Sequence, residues 1–111
     1  MPSYMIVALT NPVPGHEDEF NDWYDTVATP IYRQVPGCNP LGRFKIADLP
    51  RLHTFSSEHQ WQYLSLYQVE SDDIETKLKE MAEFANRAEG YYMSDAIDRS
   101  RFYEPVFMKL E

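Results

Sequence analysis

The stretch "WQYLSLYQVESDDIETKL", residues 61–78, decides the fold. Its first nine residues, Trp61 to Val69, read as a β-strand, because large side chains recur with a period of two. Trp61, Tyr63 and Tyr67 share one face, and Leu64 and Leu66 share the other. A helix follows directly. Asp72 with Glu75 makes a capping-box pattern. Ile74, Leu78, Met81, Ala85 and Ala88 form an apolar stripe at spacings of three and four. Gly90 is a natural C′ residue beyond the helix end. A strand with apolar groups on both faces needs cover on both, and one helix covers only one.

Before this strand, residues 47–60 form a long connection with a proline and several polar residues. Hairpin loops usually have about 2–5 residues, and much longer ones are often functional or mobile. Leu41 to Ile46 reads as the preceding strand. At the start of the chain, Ser3 to Thr10 is a short apolar run closed by "NPVPG", which reads as a buried strand rather than a helix. "HEDEFNDWYDTVA", residues 16–28, is helical. Glu17, Asp18 and Glu19 crowd its first turn, where carboxylates favour the positive end of the macrodipole. Phe20, Trp23, Val27 and Ile31 give one apolar stripe. Pro30 disfavours helical geometry at Thr29, and Thr29 suits the N-cap of a new turn with Pro30 at its first position. The spacing therefore predicts a helix to about Ala28, a kink, and a short turn through Gln34 ended by "VPG".

Beyond the second helix, "YYMSDAIDRS", residues 91–100, reads as loop or a short helical turn. "RFYEPVFMKL", residues 101–110, reads as the last strand, with Pro105 suited to an edge or a bulge. The order is β-α-β-β-α-β, a single α+β domain over residues 1–111. That is the ferredoxin-like split plan of one four-stranded antiparallel sheet with two helices on one face. The bare face needs a cover, and a second copy of the same sheet across a two-fold axis supplies it. A homodimer is expected.

Composition narrows the classes of function. With 43% apolar and 14% aromatic residues, 111 residues can fold around one core without staples. The single cysteine, Cys38, excludes an internal disulfide, which fits a cytoplasmic setting. A net charge of −8 repels phosphate backbones, so nucleic acid is not an expected partner. No stretch approaches the ~20 apolar residues of a membrane span. The first ten residues lack the basic region and cleavage site of a signal peptide. His16, His53 and His59 lack metal-ligand spacing, and neither helix core holds a histidine for haem, so no metal and no cofactor is expected. G-x-S-x-G, phosphate-loop and dinucleotide fingerprints are absent from the sequence.

"PGHEDEFNDWYDTVATPIYRQVPG", then "GRFK", then "YLSLYQVES", resembles the dimeric α/β-barrel superfamily, and within it the small proteins similar to those named for ethyl tert-butyl ether degradation. The most specific part is the helix motif of Glu17, Glu19 and Phe20, then Trp23–Tyr24–Asp25 and Pro30. The resemblance implies a homodimer with its two sheets facing each other, and a cavity in each subunit between helices and sheet. Relatives use such cavities for muconolactone isomerisation, polyketide aldol cyclisation, cofactor-free oxygenation of phenols, and haem chemistry. Fold alone does not choose among these. One departure stands out: relatives with the Trp-Tyr-Asp motif commonly place histidine where this chain has Ala28.

On a helix, Tyr24 lies four residues before Ala28 and Asp25 three before it, so both flank the space that the small residue leaves. Asp25 and Tyr24 are the candidate proton-handling groups, with His53, from the long connection, as a third if it folds over the cavity mouth. Trp23, Ala28, Phe44, Tyr67, Phe84, Tyr92 and Asp95 are the candidate ligand-lining residues. Each has a plainer reading: Trp23 as core, Asp25 as a solvated carboxylate, His53 as an exposed loop residue, Asp95 in a surface ion pair. Cys38 reads as a buried spectator thiol and His16 as a surface or capping residue.

Eight tyrosines suit a cavity for an aromatic or polyketide-like ligand. The leading expectation is a cofactor-free enzyme that moves a proton (isomerisation, cyclisation or elimination) on a small, largely apolar, oxygenated cyclic or polyketide-like compound. Two alternatives stand beside it: a cofactor-independent monooxygenase of phenols or anthrones, and a non-catalytic ligand-binding dimer.

Overall fold

The computed structural model describes residues 1–47 and 60–110. Its elements are β1 (Ser3–Thr10), α1 (Glu17–Trp23), α2 (Thr29–Arg33), β2 (Cys38–Lys45), β3 (Tyr63–Glu70), α3 (Ile74–Arg87) and β4 (Val106–Met108). The sheet runs β2-β3-β1-β4 with every pairing antiparallel. This is an α+β fold with a four-stranded antiparallel sheet, consistent with the ferredoxin-like plan. α1 and α2 belong to one continuous helical segment, joined by a π-helical turn at Tyr24–Ala28, so α3 is the second helix.

Register separates the two faces of the sheet. Ile6, Ala8 and Thr10 of β1 stand opposite Tyr67, Ser65 and Tyr63 of β3, and all six are buried. They face the helices. Val35, Met81 and Tyr67 share a core cluster with Ile6, Ala8 and Val69, while Phe20, Trp23, Tyr24 and Ala28 cluster with Tyr63, Ala96 and Ile97. The opposite face carries Met5, Val7 and Leu9, Leu64 and Leu66, Phe44, and Phe107. Phe44 and Phe107 are more than half exposed. Among the described residues nothing covers this apolar face.

Several boundaries differ from the sequence reading. β3 begins at Tyr63, not Trp61. The Asn11 side chain donates to the Gln60 carbonyl at 2.8 Å and accepts from the Gln62 N–H at 2.7 Å. A side-chain clamp thus holds the chain where a ladder partner was expected, and Trp61 stacks on Tyr103 instead, with ring centroids 5.7 Å apart. β2 starts at Cys38, because a register shift between Pro40 and Gly42 lets the pairing continue past the proline. The last strand is shorter than 101–110. Arg99–Arg101 forms a 3-10 turn, Tyr103 bridges to Leu9, and regular pairing covers Val106–Met108. Pro105 sits on this edge strand, where its missing N–H costs no ladder bond; its carbonyl accepts from the Val7 N–H at 3.0 Å.

The expected kink before Pro30 is a π-turn instead. Thr29 keeps helical angles, and its N–H donates to the carbonyl of Tyr24, five residues back. A widened turn makes room for the proline ring and absorbs its missing donor, so the helix passes through without breaking. In α3 the cap is Asp73, not Asp72: its carboxylate accepts from the Thr76 N–H at 3.2 Å and from the Thr76 hydroxyl at 2.8 Å. Ala88 is the C-cap, and Gly90, with φ +83°, lies one residue further out than expected.

The Thr76 hydroxyl and amide hold the Asp73 carboxyl below its ordinary value of 3.8. A depressed carboxylate stabilises the fold at pH above the unfolded value and loses that contribution as pH falls through the folded one. Asp73→Ala should therefore lower the melting temperature at pH 7. The gap from wild type should close as pH drops well below 3.8, a comparison that thermal melts at several pH values will make.

Candidate functional site

The π-turn shapes the site. The buried arc that starts at Phe20 and Trp23 continues across the turn, whose end residues both point inward, with Tyr24 4% and Ala28 1% exposed. π-turns of this length occur often at functional sites. Here the turn roofs a cavity of about 70 Å³ between the helices and the sheet. Ile6, Ala8 and Tyr67 form its floor. Trp23, Tyr24, Ala28, Tyr32 and Met81 form the roof, and Tyr91, Met93, Ile97, Phe102 and Glu104 surround its mouth.

Four tyrosines and one carboxylate converge there. The Tyr32 and Tyr67 ring centroids are 5.6 Å apart, and Trp23 meets Tyr24 edge-on at 4.8 Å. The Trp23 indole N–H donates to the Tyr92 carbonyl at 2.6 Å, which fixes the 91–93 segment across the mouth. Burial raises all of the Tyr24, Tyr32 and Tyr67 phenols above their ordinary value of 10.0. The neighbouring Thr10 and Ser65 hydroxyls draw Tyr24 and Tyr67, respectively, partly back down. These phenols therefore stay protonated at neutral pH and act as hydrogen-bond donors. Desolvation raises the Glu104 carboxyl. Protein atoms crowd that carboxyl on the cavity side, while the residue as a whole stays open to solvent at the mouth.

Behind Tyr24, on the side away from the cavity, lies Arg43 of β2. Its guanidinium carbon sits 4.3 Å from the Tyr24 ring centroid and 5.5 Å and 5.6 Å from those of Phe20 and Tyr63. It donates to Asn21 at 2.9 Å and to Asp25 at 3.4 Å. The pair of helix groups and the three rings clamp the arginine over the back of Tyr24, holding that ring as a cavity wall.

The expected residues divide accordingly. Trp23, Tyr24, Ala28 and Tyr67 line the cavity. Asp25 does not: its side chain is 69% exposed and pairs with Arg43. It falls about 100° past Tyr24, beyond the buried arc, so the expectation that it faces the cavity is corrected. Phe44 lies on the bare sheet face, because the register that pairs it with Leu64 turns it away from the helices. Phe84 packs on the core cluster from α3 and borders an open groove between α2 and α3 with Ile31 and Gln34. Tyr92 contributes its carbonyl rather than its exposed ring. Asp95 is fully exposed, 3.9 Å from Arg99. His53 lies outside the described residues.

Glu104, Tyr32 and Tyr91 went unrecognised in the sequence. Glu104 becomes visible only through the register: Tyr103 pairs with Leu9 and Val106 with Ile6, so Glu104 stands across from the small residue Ala8, on the helix face. Tyr91 belongs to a segment without periodicity and had no sequence signal.

Among the described residues, no three of His, Cys, Asp and Glu converge to hold a metal ion. Burial pushes the Cys38 thiol up to about 11, so it is protonated and poorly nucleophilic. No described helix is long and apolar enough to cross a membrane.

Because Asp25 is 69% exposed and meets the mostly buried Arg43 at a long 3.4 Å, Asp25→Asn should cost less than about 1 kcal/mol in urea denaturation. A larger loss would mean that the Arg43 clamp depends on this carboxylate. No family model matches the chain, and neither does any curated protein or any solved structure.

Proposed function

We propose that the chain is a cofactor-free enzyme of the dimeric α/β-barrel type, acting as a homodimer on a small oxygenated ligand by proton transfer. The observation that carries this reading is Glu104: one carboxylate, raised by desolvation, at the mouth of a cavity walled by phenol donors. Such a carboxylate is a competent general base. It removes a proton from carbon next to a carbonyl, the C–H electron pair becomes a C=C bond, and the carbonyl electrons pass to oxygen. Phenol hydroxyls donate to that oxygen as its charge develops. Where a C=C bond is conjugated with that enolate, return of the proton to its far carbon completes an isomerisation, with no oxidant or reductant involved.

Ala28 fits this arrangement. Where the resemblance implies histidine, a small residue leaves room at the roof, and Glu104 from the opposite side takes the proton. The bare sheet face supports the dimer, since apolar side chains from all four strands meet there.

The test works with simple ketones in place of the natural substrate. Small ketones incubated with the protein in deuterated water should exchange their α-protons, followed by proton NMR, and the exchange should depend on Glu104. A folded protein that accelerates no such exchange across a panel of ketones would defeat the enzymatic reading.

A further inference from the structure

We infer that this cavity selects an uncharged carbonyl compound of at most one ring, and discriminates against carboxylates and fused-ring ligands. The inference rests on the functional reading above and narrows its substrate class.

Charge is the first argument. Among the described lining residues, Glu104 is the one charged side chain, and its charge is negative. Arg43 lies behind Tyr24 and is already engaged by Asn21 and Asp25. A carboxylate ligand would thus meet a like charge at the mouth without a cation at the wall. Like-charge juxtaposition disfavours binding strongly in a desolvated site. Burial keeps the Tyr24 and Tyr67 phenols protonated, so their O–H groups can donate to a ligand oxygen. A neutral carbonyl supplies that acceptor without bringing a second negative charge.

Size is the second argument. An apolar cavity of ~150 Å³ holds benzene, and this one measures about 70 Å³. One ring already requires the half-exposed mouth residues Met93 and Phe102 to swing outward. Two fused rings exceed that space further still. The polyketide-like end of the expected substrate range is therefore disfavoured.

Acetophenone and benzoate form a matched pair, nearly identical in shape and different in charge; 2-acetonaphthone adds a ring. Binding is followed by tryptophan fluorescence, since Trp23 lines the cavity, and by ligand-observed NMR. Acetophenone should bind at least about tenfold more tightly than benzoate, and more tightly than 2-acetonaphthone. In Glu104→Gln the preference over benzoate should shrink. Methyl-proton exchange of acetophenone in deuterated water is measured on the same samples. Equal or tighter binding of benzoate or 2-acetonaphthone overturns the inference, and continued exchange then leaves the enzymatic reading standing. Acetophenone binding with the expected preferences but without exchange removes the enzyme and keeps the ligand class. Failure of all three to bind removes both.

Discussion

Leu66→Lys is expected to convert the protein from a dimer to a monomer. Leu66 is central on the bare sheet face, paired with Val7 on one side and Gly42 on the other. In a sheet-to-sheet dimer it becomes buried against its partner. A buried, unpaired charge costs ~3–5 kcal/mol, and two-fold symmetry places two such charges in one interface. The combined cost of ~6–10 kcal/mol raises the dissociation constant by a factor on the order of 10⁴ or more. Sedimentation at micromolar concentration should give twice the chain mass for wild type and the single-chain mass, or an unfolded chain, for the variant. A folded dimer of Leu66→Lys would rule out this face as the interface.

Glu104→Gln is expected to slow α-proton exchange by ~10²–10⁴, the usual contribution of a positioned general base. Ligand binding should survive, because the amide preserves shape. Exchange by wild type should rise with pH through a value above the ordinary 4.5 of glutamate, since only the ionised form is a base and desolvation raises its pKa. Stability should move the other way. A folded-state pKa above the unfolded one means that the native state binds more protons between the two values, so stability declines as pH rises across that interval. At pH 7 the variant, which cannot ionise, should therefore melt higher than wild type, and the difference should fade below pH 4.5. Loss of activity with gain of stability distinguishes a strained functional carboxylate from one that merely props up the fold.

The elements that follow a strict period were readable from the sequence. The alternation in β3 and the three-and-four stripe in α3 each put one face inward, and the structure agrees within a few residues. Trp23, Tyr24 and Ala28 were readable for the same reason, because helical spacing places them on the buried arc. Phe44 was not, since alternation alone leaves open which parity faces the helices, and the irregularity at Pro40 and Gly42 confuses the count. Asp25 misled because its proximity to Ala28 in sequence does not prevent it from pointing outward, where Arg43 neutralises it. Glu104 was hidden by its neighbours: within "FYEPVF" the proline drew attention to edge geometry and away from the inward-facing position beside it.

The π-turn at Tyr24–Ala28 makes chain length itself a determinant of ligand choice. The wide turn holds one residue more than an α-helical turn, so deleting one residue within it would restore ordinary winding and leave the helix beyond in nearly its present rotational phase. Tyr32 would stay against Tyr67, and the change would fall on the roof between Trp23 and Ala28. A single-codon deletion here thus alters the pocket wall without unseating the core behind it. Divergence among chains of this architecture can therefore proceed by gaps in the first helix as readily as by point changes.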